Sequence, residues 1–472
     1  MIKYVSITGG SDPVNFKEAI LNGKAEDGGF YVPDSLPFIS IEELAEWKSL
    51  KYTDLAFKIL SLFIDESIIP RKDLYGLIED SFTTFTHPDK IAHTSLEGGI
   101  VIQELFHGPT LSFKDVAIGF VVNLFDYFLQ KDGNSMNIIV VTSGDTGPAA
   151  GYASIGKKSL NAWILYPVGM ITPEQEFQMT TIRANNVYTL AVEGCRNGSD
   201  DIDELIQSLF ADKSFKTETK LSSVNSLNWG RIMMQTVHYF YGYLQNVSNV
   251  GDQICFSVPC GLFGNMAAGI IARKMGLPVD KFIIATNDNV VLKNAFEEGV
   301  FARDLVKTTH SSAIDIAVPA NFWRFLYFAT GQNPKVIRDW KFEYELNGAV
   351  TFSKEIKQKI NQGILTNSVS NEETLSIINK VYKEEGYLLD PHSAVAVFSA
   401  KKLIQNSKVI CLATAHPAKF PDVIKLALGE TPKEAFHQSI ESLRDKPSNA
   451  YRFTFEEMGK KIPETIRKVI SD

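Results

Sequence analysis

The run ELFHGPTLSFKD at 104–115 sets a lysine between Phe113 and Asp115, after a tight Gly-Pro turn and at the head of an apolar pattern. Ala117, Phe120, Val121, Leu124 and Phe128 recur at i, i+3 and i+4 spacing, so the residues from Asp115 onward predict an amphipathic helix. Asp115 suits the positive end of that helix, whereas an ammonium group on Lys114 is misplaced there. The pKa of its amine should therefore be lowered, which favours a neutral nucleophile or an imine. A surface lysine bending into water is the ordinary alternative.

Two further stretches carry anion chemistry. In VPCGLFGNMAAG (258–269) an apolar strand runs into Gly261, Gly264 and a helix start, so backbone N–H groups converge at a positive helix end. That geometry binds a phosphate, although glycines at a tight turn also serve the backbone alone. TSGDTGPAA (142–150) repeats the arrangement with hydroxyls. Ser143, Thr146 and nearby N–H groups suit a carboxylate or a second phosphate, or are ordinary helix caps. Neither GxxxxGK[ST] nor a GxGxxG with a suitably spaced acidic residue occurs, which disfavours an NTPase and a nicotinamide dehydrogenase. An imine-forming lysine with one phosphate cradle and one anion cradle describes a site for pyridoxal 5'-phosphate and an amino-acid substrate.

The elements that must position these groups repeat as apolar strand, Gly-rich turn and helix. NIIVVT (137–142), AWILYP (162–167), VYTLAV (187–192), QICFSV (253–258), FIIATN (282–287) and KVICLATA (408–415) read as buried strands. Alternation with helices implies parallel sheets covered on both faces, hence an α/β protein. At 472 residues the chain exceeds one comfortable core. The division expected is 1–92 as an N-terminal domain, 93–215 as a smaller α/β domain and 216–472 as a larger one ending in peripheral helices from Gly429. A net charge of −8 without a basic run argues against nucleic acid, and no apolar stretch is long enough to cross a bilayer. Four cysteines without CxxC spacing suggest neither a metal site nor disulfides, and a reduced cytoplasmic protein is the simplest reading.

The chain resembles threonine synthase of the longer, bacterial and fungal type. FHGPTLSFKD (106–115) is similar to that family's cofactor-lysine motif, and seven more stretches follow the family's order: GKAEDGGFYVP (23–33), TSGDTG (142–147), VNSLNWGRI (224–232), VPCGLFGN (258–265), ATNDNVVL (285–292), LLDPHSAVAV (388–397) and TAHPAKF (414–420). The resemblance implies a tryptophan-synthase-β-like fold (fold type II) with two parallel-sheet α/β domains and an N-terminal domain. It implies a pyridoxal-phosphate lyase of threonine biosynthesis that converts O-phospho-L-homoserine and water to L-threonine and phosphate, acting as a monomer or homodimer.

Carried over by position, Lys114 is the Schiff-base lysine and the mobile base. Gly261, Leu262, Phe263, Gly264 and Asn265 wrap the cofactor phosphate, and Thr414 offers its hydroxyl to the pyridine nitrogen. Asp145 lies near the phenolic oxygen, with Ser143 and Thr146 near the substrate carboxylate. Arg231 and Lys419 are the candidates for the substrate's phosphate, and Asn225, Asn228, His107 and His416 line the site. The family has Asn at 262, Thr or Ser at 260 and an arginine in the YVSITGG segment, all lost here. A missing loop donor weakens cofactor binding by roughly 0.5–1.5 kcal/mol. A phospho-lyase releasing 2-oxobutanoate, or a relative acting on another γ-substituted amino acid, stands as the alternative.

Overall fold

The computed structural model describes residues 2–471. Its centre is a six-stranded sheet in the order Ile364–Ser368, Val279–Thr286, Ile254–Pro259, Val409–Ala413, Ile100–Glu104, Ala92–Ser95, parallel except for the last strand. A second, five-stranded sheet is wholly parallel, in the order Ala450–Thr454, Val187–Glu193, Leu160–Pro167, Met136–Val141, Leu221–Ser222. The N-terminal segment adds a hairpin of Tyr4–Ser6 with Tyr31–Pro33 and helices Tyr52–Leu60 and Arg71–Phe82.

All six strands read from apolar runs are present, because each is buried on both faces over most of its length and is therefore apolar at most positions. The sheets cross the expected boundaries in two places. Ala92–Ser95 and Ile100–Glu104, placed by sequence at the edge of the smaller unit, pair in the larger sheet, where Ile100–Glu104 lies beside Val409–Ala413. In the tail expected to be helical, Ala450–Thr454 instead joins the smaller sheet against Val187–Glu193. It is an edge strand whose only buried residue is Phe453, so its sequence carries almost no apolar signal.

Two helices link the layers. Lys114–Asp132 begins at the lysine, and the five residues that define its apolar stripe are all buried. Trp229–Asn246 is buried along Trp229–Leu244, so it runs through the interior. Gly230 lets the two approach: a Cβ there would stand 2.9 Å from Val121 Cγ2. Gly242 on the same helix makes room for the Gln103 side chain, whose Oε1 lies 2.1 Å from where a Cβ would be. Larger residues at either position would push the helix off its neighbours.

Candidate active site

The lysine is held by a closed loop. Phe113 N–H donates to Thr414 O at 2.8 Å and His416 N–H to Leu111 O at 3.0 Å, so residues 111–113 run antiparallel to 414–416. Asp115 reaches back across the turn and accepts from Thr110 N–H at 2.9 Å and Thr110 Oγ1 at 2.7 Å. A Cβ at Gly108 would sit 2.4 Å from Asp115 Cβ, so only glycine fits that turn. Burial raises the Asp115 carboxyl to about 6, against the lowering by the Thr110 bonds.

Lys114 is the first residue of its helix, with its Nζ 4.3 Å from the Phe113 ring centroid. It retains some open surface. Its amine is lowered to about 7 by burial first and the Arg231 charge second, with Lys419 adding to the effect and Asp145 opposing it. The direction matches the sequence argument, and its causes are desolvation and a neighbouring guanidinium.

Asp145 is buried with Lys419: Nζ lies 2.8 Å from Oδ1, and both side chains are almost fully closed off. Gln175 Nε2 donates to Oδ1 at 2.9 Å and Ser112 Oγ to Oδ2 at 3.1 Å. Burial alone would raise the carboxyl, but Lys419, together with His392 and the Gln175 hydrogen bond, outweighs it and holds Asp145 at about 2. Lys419 also donates to Thr110 O at 2.9 Å. It is therefore not the free cation for a substrate phosphate that the sequence suggested, but the counter-ion of Asp145. The pair has no net charge, so Asp145 can stand near a phenolate without the repulsion a lone anion would bring.

The loop expected to hold a phosphate follows strand Ile254–Pro259 into helix Gly264–Lys274. Phe263 takes a left-handed conformation at φ 65°, turning the chain so that the first helical N–H groups face outward from the helix end. A Cβ at Gly261 would lie 3.1 Å from Ile314 Cα and Ile316 Cγ1, so the loop packs tightly on 313–316. Leu262 is exposed and contributes its carbonyl to Asn321 N–H at 3.1 Å. Asn265 Oδ1 accepts from His238 Nε2 at 2.8 Å and Tyr239 OH at 3.0 Å, leaving its Nδ2 without a partner.

Arg231 is buried with one side-chain bond, Nη1 to Val224 O at 3.0 Å, and an unpaired Nε. No carboxylate pairs with it among the described residues, and burial lowers it to about 10. A buried guanidinium without a counter-ion has the chemistry to take an incoming anion. Asn225 Oδ1 is likewise unpaired. Ser143 and Thr146 are half-buried, with no hydrogen bond from either hydroxyl among the described residues. Thr414 is buried just beyond strand Val409–Ala413.

Three expected lining residues are engaged structurally. Asn228 caps its helix, accepting from Gly230 N–H at 3.0 Å and donating to Ile20 O at 2.8 Å. His107 Nε2 pairs with Glu104 Oε2 at 2.7 Å. His416 Nδ1 accepts from Ala418 N–H at 3.1 Å.

Sequence reasoning missed Gln175, Ser112 and His392. Thr172 and Gln175 form a capping box, a signal that locates the helix Pro173–Thr180 but not the reach of Gln175 to Asp145. His392 accepts Ala313 N–H at Nε2, 3.0 Å away, while its Nδ1 lies 2.8 Å from Asp390 Oδ1. It thereby fixes the segment under Gly261.

Comparison with known proteins identifies the family of the chain. The family described as "Threonine synthase N terminus" matches residues 3–82, and "Threonine synthase, C-terminal" matches residues 393–469. Threonine synthase of Schizosaccharomyces pombe is 37% identical over 93% of this chain and 92% of its own length. That of Saccharomyces cerevisiae is 40% identical, with 90% of this chain and 89% of the relative covered. The crystal structure of PLP-bound threonine synthase from Brucella melitensis superposes with a TM-score of 0.93 at 35% identity, over 99% of both chains. The chain belongs to the threonine synthase family.

Proposed function

We infer that the protein converts O-phospho-L-homoserine and water into L-threonine and phosphate with pyridoxal phosphate as its cofactor. The observation that carries this reading is Lys114: an amine tuned to about 7, at a helix start, with a phosphate loop, an unpaired buried arginine and free hydroxyls on neighbouring elements. These residues fit the cofactor. Lys114 would hold its aldehyde carbon, the 261–265 loop its phosphate, Thr414 its ring nitrogen and Asp145 its phenolic edge. The glycine at 261, where any Cβ would press on 313–316, is what a backbone cradle requires.

Bound there, pyridoxal phosphate supplies an electron-withdrawing ring that makes the protons beside the amino-bearing carbon acidic. The chain's own groups do the rest. Lys114, displaced when substrate arrives, is neutral enough near pH 7 to take the Cα proton and then a Cβ proton. Arg231 pairs with the substrate's phosphate and stabilises it as it leaves Cγ. Ser143 and Thr146 donate to the substrate carboxylate, which orients Cα toward Lys114. The division into an N-terminal unit and two sheet-centred units is part of the same proposal, with the strand exchanges described above.

The test is substrate turnover by two proteins. Supplied with pyridoxal phosphate and O-phosphohomoserine, the wild type should release phosphate and the Lys114→Ala variant should release none. A Lys114→Ala protein that keeps pace with the wild type would end the assignment.

A further inference from the structure

The face of helix Trp229–Asn246 that carries Arg231 also carries Gln235, His238 and Gly242, at i+4, i+7 and i+11. Each side chain on it is buried, yet polar atoms go unmatched: Arg231 Nε, Gln235 Oε1 and His238 Nδ1 have no protein partner. The strip continues across the neighbouring elements. Asn265 Nδ2, on the helix after the phosphate loop, is unpaired, and so is Gln103 Oε1, held beside Gly242. Gln103 Nε2 donates to His238 O at 2.7 Å and His238 Nε2 meets Asn265 Oδ1 at 2.8 Å, so these groups touch one another. Gln235 is the extreme case: 1% exposed, with no side-chain hydrogen bond among the described residues.

Buried polar atoms of this kind are ordinarily satisfied by ordered water, which needs several polar partners and finds them here. The strip begins at Arg231, whose charge helps lower the Lys114 amine, and through His238 it reaches Asn265 at the end of the 261–265 loop, so it borders the site at both ends. We propose that the strip binds a file of ordered water and that Gln235 is a positioning residue, fixing the water molecule added to the substrate's Cβ. This rests on the threonine synthase reading, in which water is a reactant. In that reaction the Cγ–O bond breaks with its electron pair on phosphate. Cβ loses a proton and gains the hydroxyl, Cγ gains a proton, and the remaining water proton leaves with phosphate. A water held by an amide and a guanidinium reaches Cβ in a fixed orientation.

The test uses the wild-type holoenzyme and Gln235→Met, a near-isosteric change that removes both hydrogen-bonding atoms. With O-phosphohomoserine, the ratio of threonine to 2-oxobutanoate formed should fall about fivefold, the rate equivalent of one neutral hydrogen bond. Cofactor affinity should stay at the wild-type value, which a general loosening of the fold would not allow. A high-resolution crystal structure of the wild type should show water bonded to Gln235 and to its unpaired neighbours. Unchanged partition in the variant, or a dry strip in the crystal, overturns the proposal. A wild type that makes no threonine overturns the functional reading instead.

Discussion

Removing Lys419 should expose what Asp145 costs when it is buried alone. In the wild type the carboxylate is 2.8 Å from the ammonium, with Gln175 Nε2 and Ser112 Oγ as its other donors. Deleting one member of such a pair costs about 3–5 kcal/mol. The two surviving donors keep the expected loss near the lower end, about 3 kcal/mol. The pH dependence follows from the sign of the shift. Asp145 is depressed from 3.8 to about 2, so its pairing stabilises the fold fully above 3.8 and is lost as pH falls through about 2. That shift corresponds to roughly 2–3 kcal/mol, consistent with the deletion estimate. In Lys419→Met, burial, the largest single effect, is opposed only by the nearby His392 and the remaining hydrogen bonds, and the carboxyl titrates above its ordinary value. The variant's deficit is then largest at neutral pH and shrinks on acidification. Denaturant midpoints of cofactor-free protein at pH 7 and pH 4.5 measure both. Adding Asp145→Asn should recover most of the loss, because a neutral amide no longer needs the cation. A loss below about 1 kcal/mol at pH 7, or a double variant weaker than the single one, would refute the pairing argument.

Lys114 in the cofactor-free protein should take up pyridoxal phosphate at a rate that rises about tenfold per pH unit below 7 and levels off above it, followed by the visible band; a midpoint near 10 would contradict the lowered amine. Gly261→Ala forces a Cβ to within 3.1 Å of Ile314 and Ile316, so cofactor affinity measured by absorbance titration should drop at least about tenfold while the denaturation midpoint moves little. Arg231→Met should raise KM for O-phosphohomoserine by at least about tenfold and abolish inhibition by inorganic phosphate, whereas an unchanged KM would place the substrate phosphate elsewhere.

Much of the site was legible because its parts are local. Lys114 and its helix stripe, the Gly261–Asn265 loop and the buried strands each declare themselves within a dozen residues. What escaped is long-range. Lys419 and Asp145 are joined only when TAHPAKF lies along the lysine loop, and nothing near either residue specifies that neighbour. Of the three strands that crossed the expected boundaries, Ala92–Ser95 and Ala450–Thr454 are edge elements placed by pairing rather than by their own apolar pattern. Asn228 was readable as a cap, since it directly precedes the run of Trp229–Asn246, yet its motif drew it into the site. The lost arginine of the YVSITGG segment also has a structural answer. Thr8 stands in that stretch and donates to Asp27 Oδ2 at 2.8 Å, alongside Ser6 Oγ and the N–H groups of Gly10 and Gly29. The carboxylate is satisfied without a cation.

The central claim is tested most directly by supplying the holoenzyme with O-phospho-L-homoserine and counting phosphate, threonine and 2-oxobutanoate from the same reaction. Phosphate matched one to one by threonine is the predicted result. Phosphate matched by 2-oxobutanoate, or no phosphate from a protein that carries its cofactor, would contradict it.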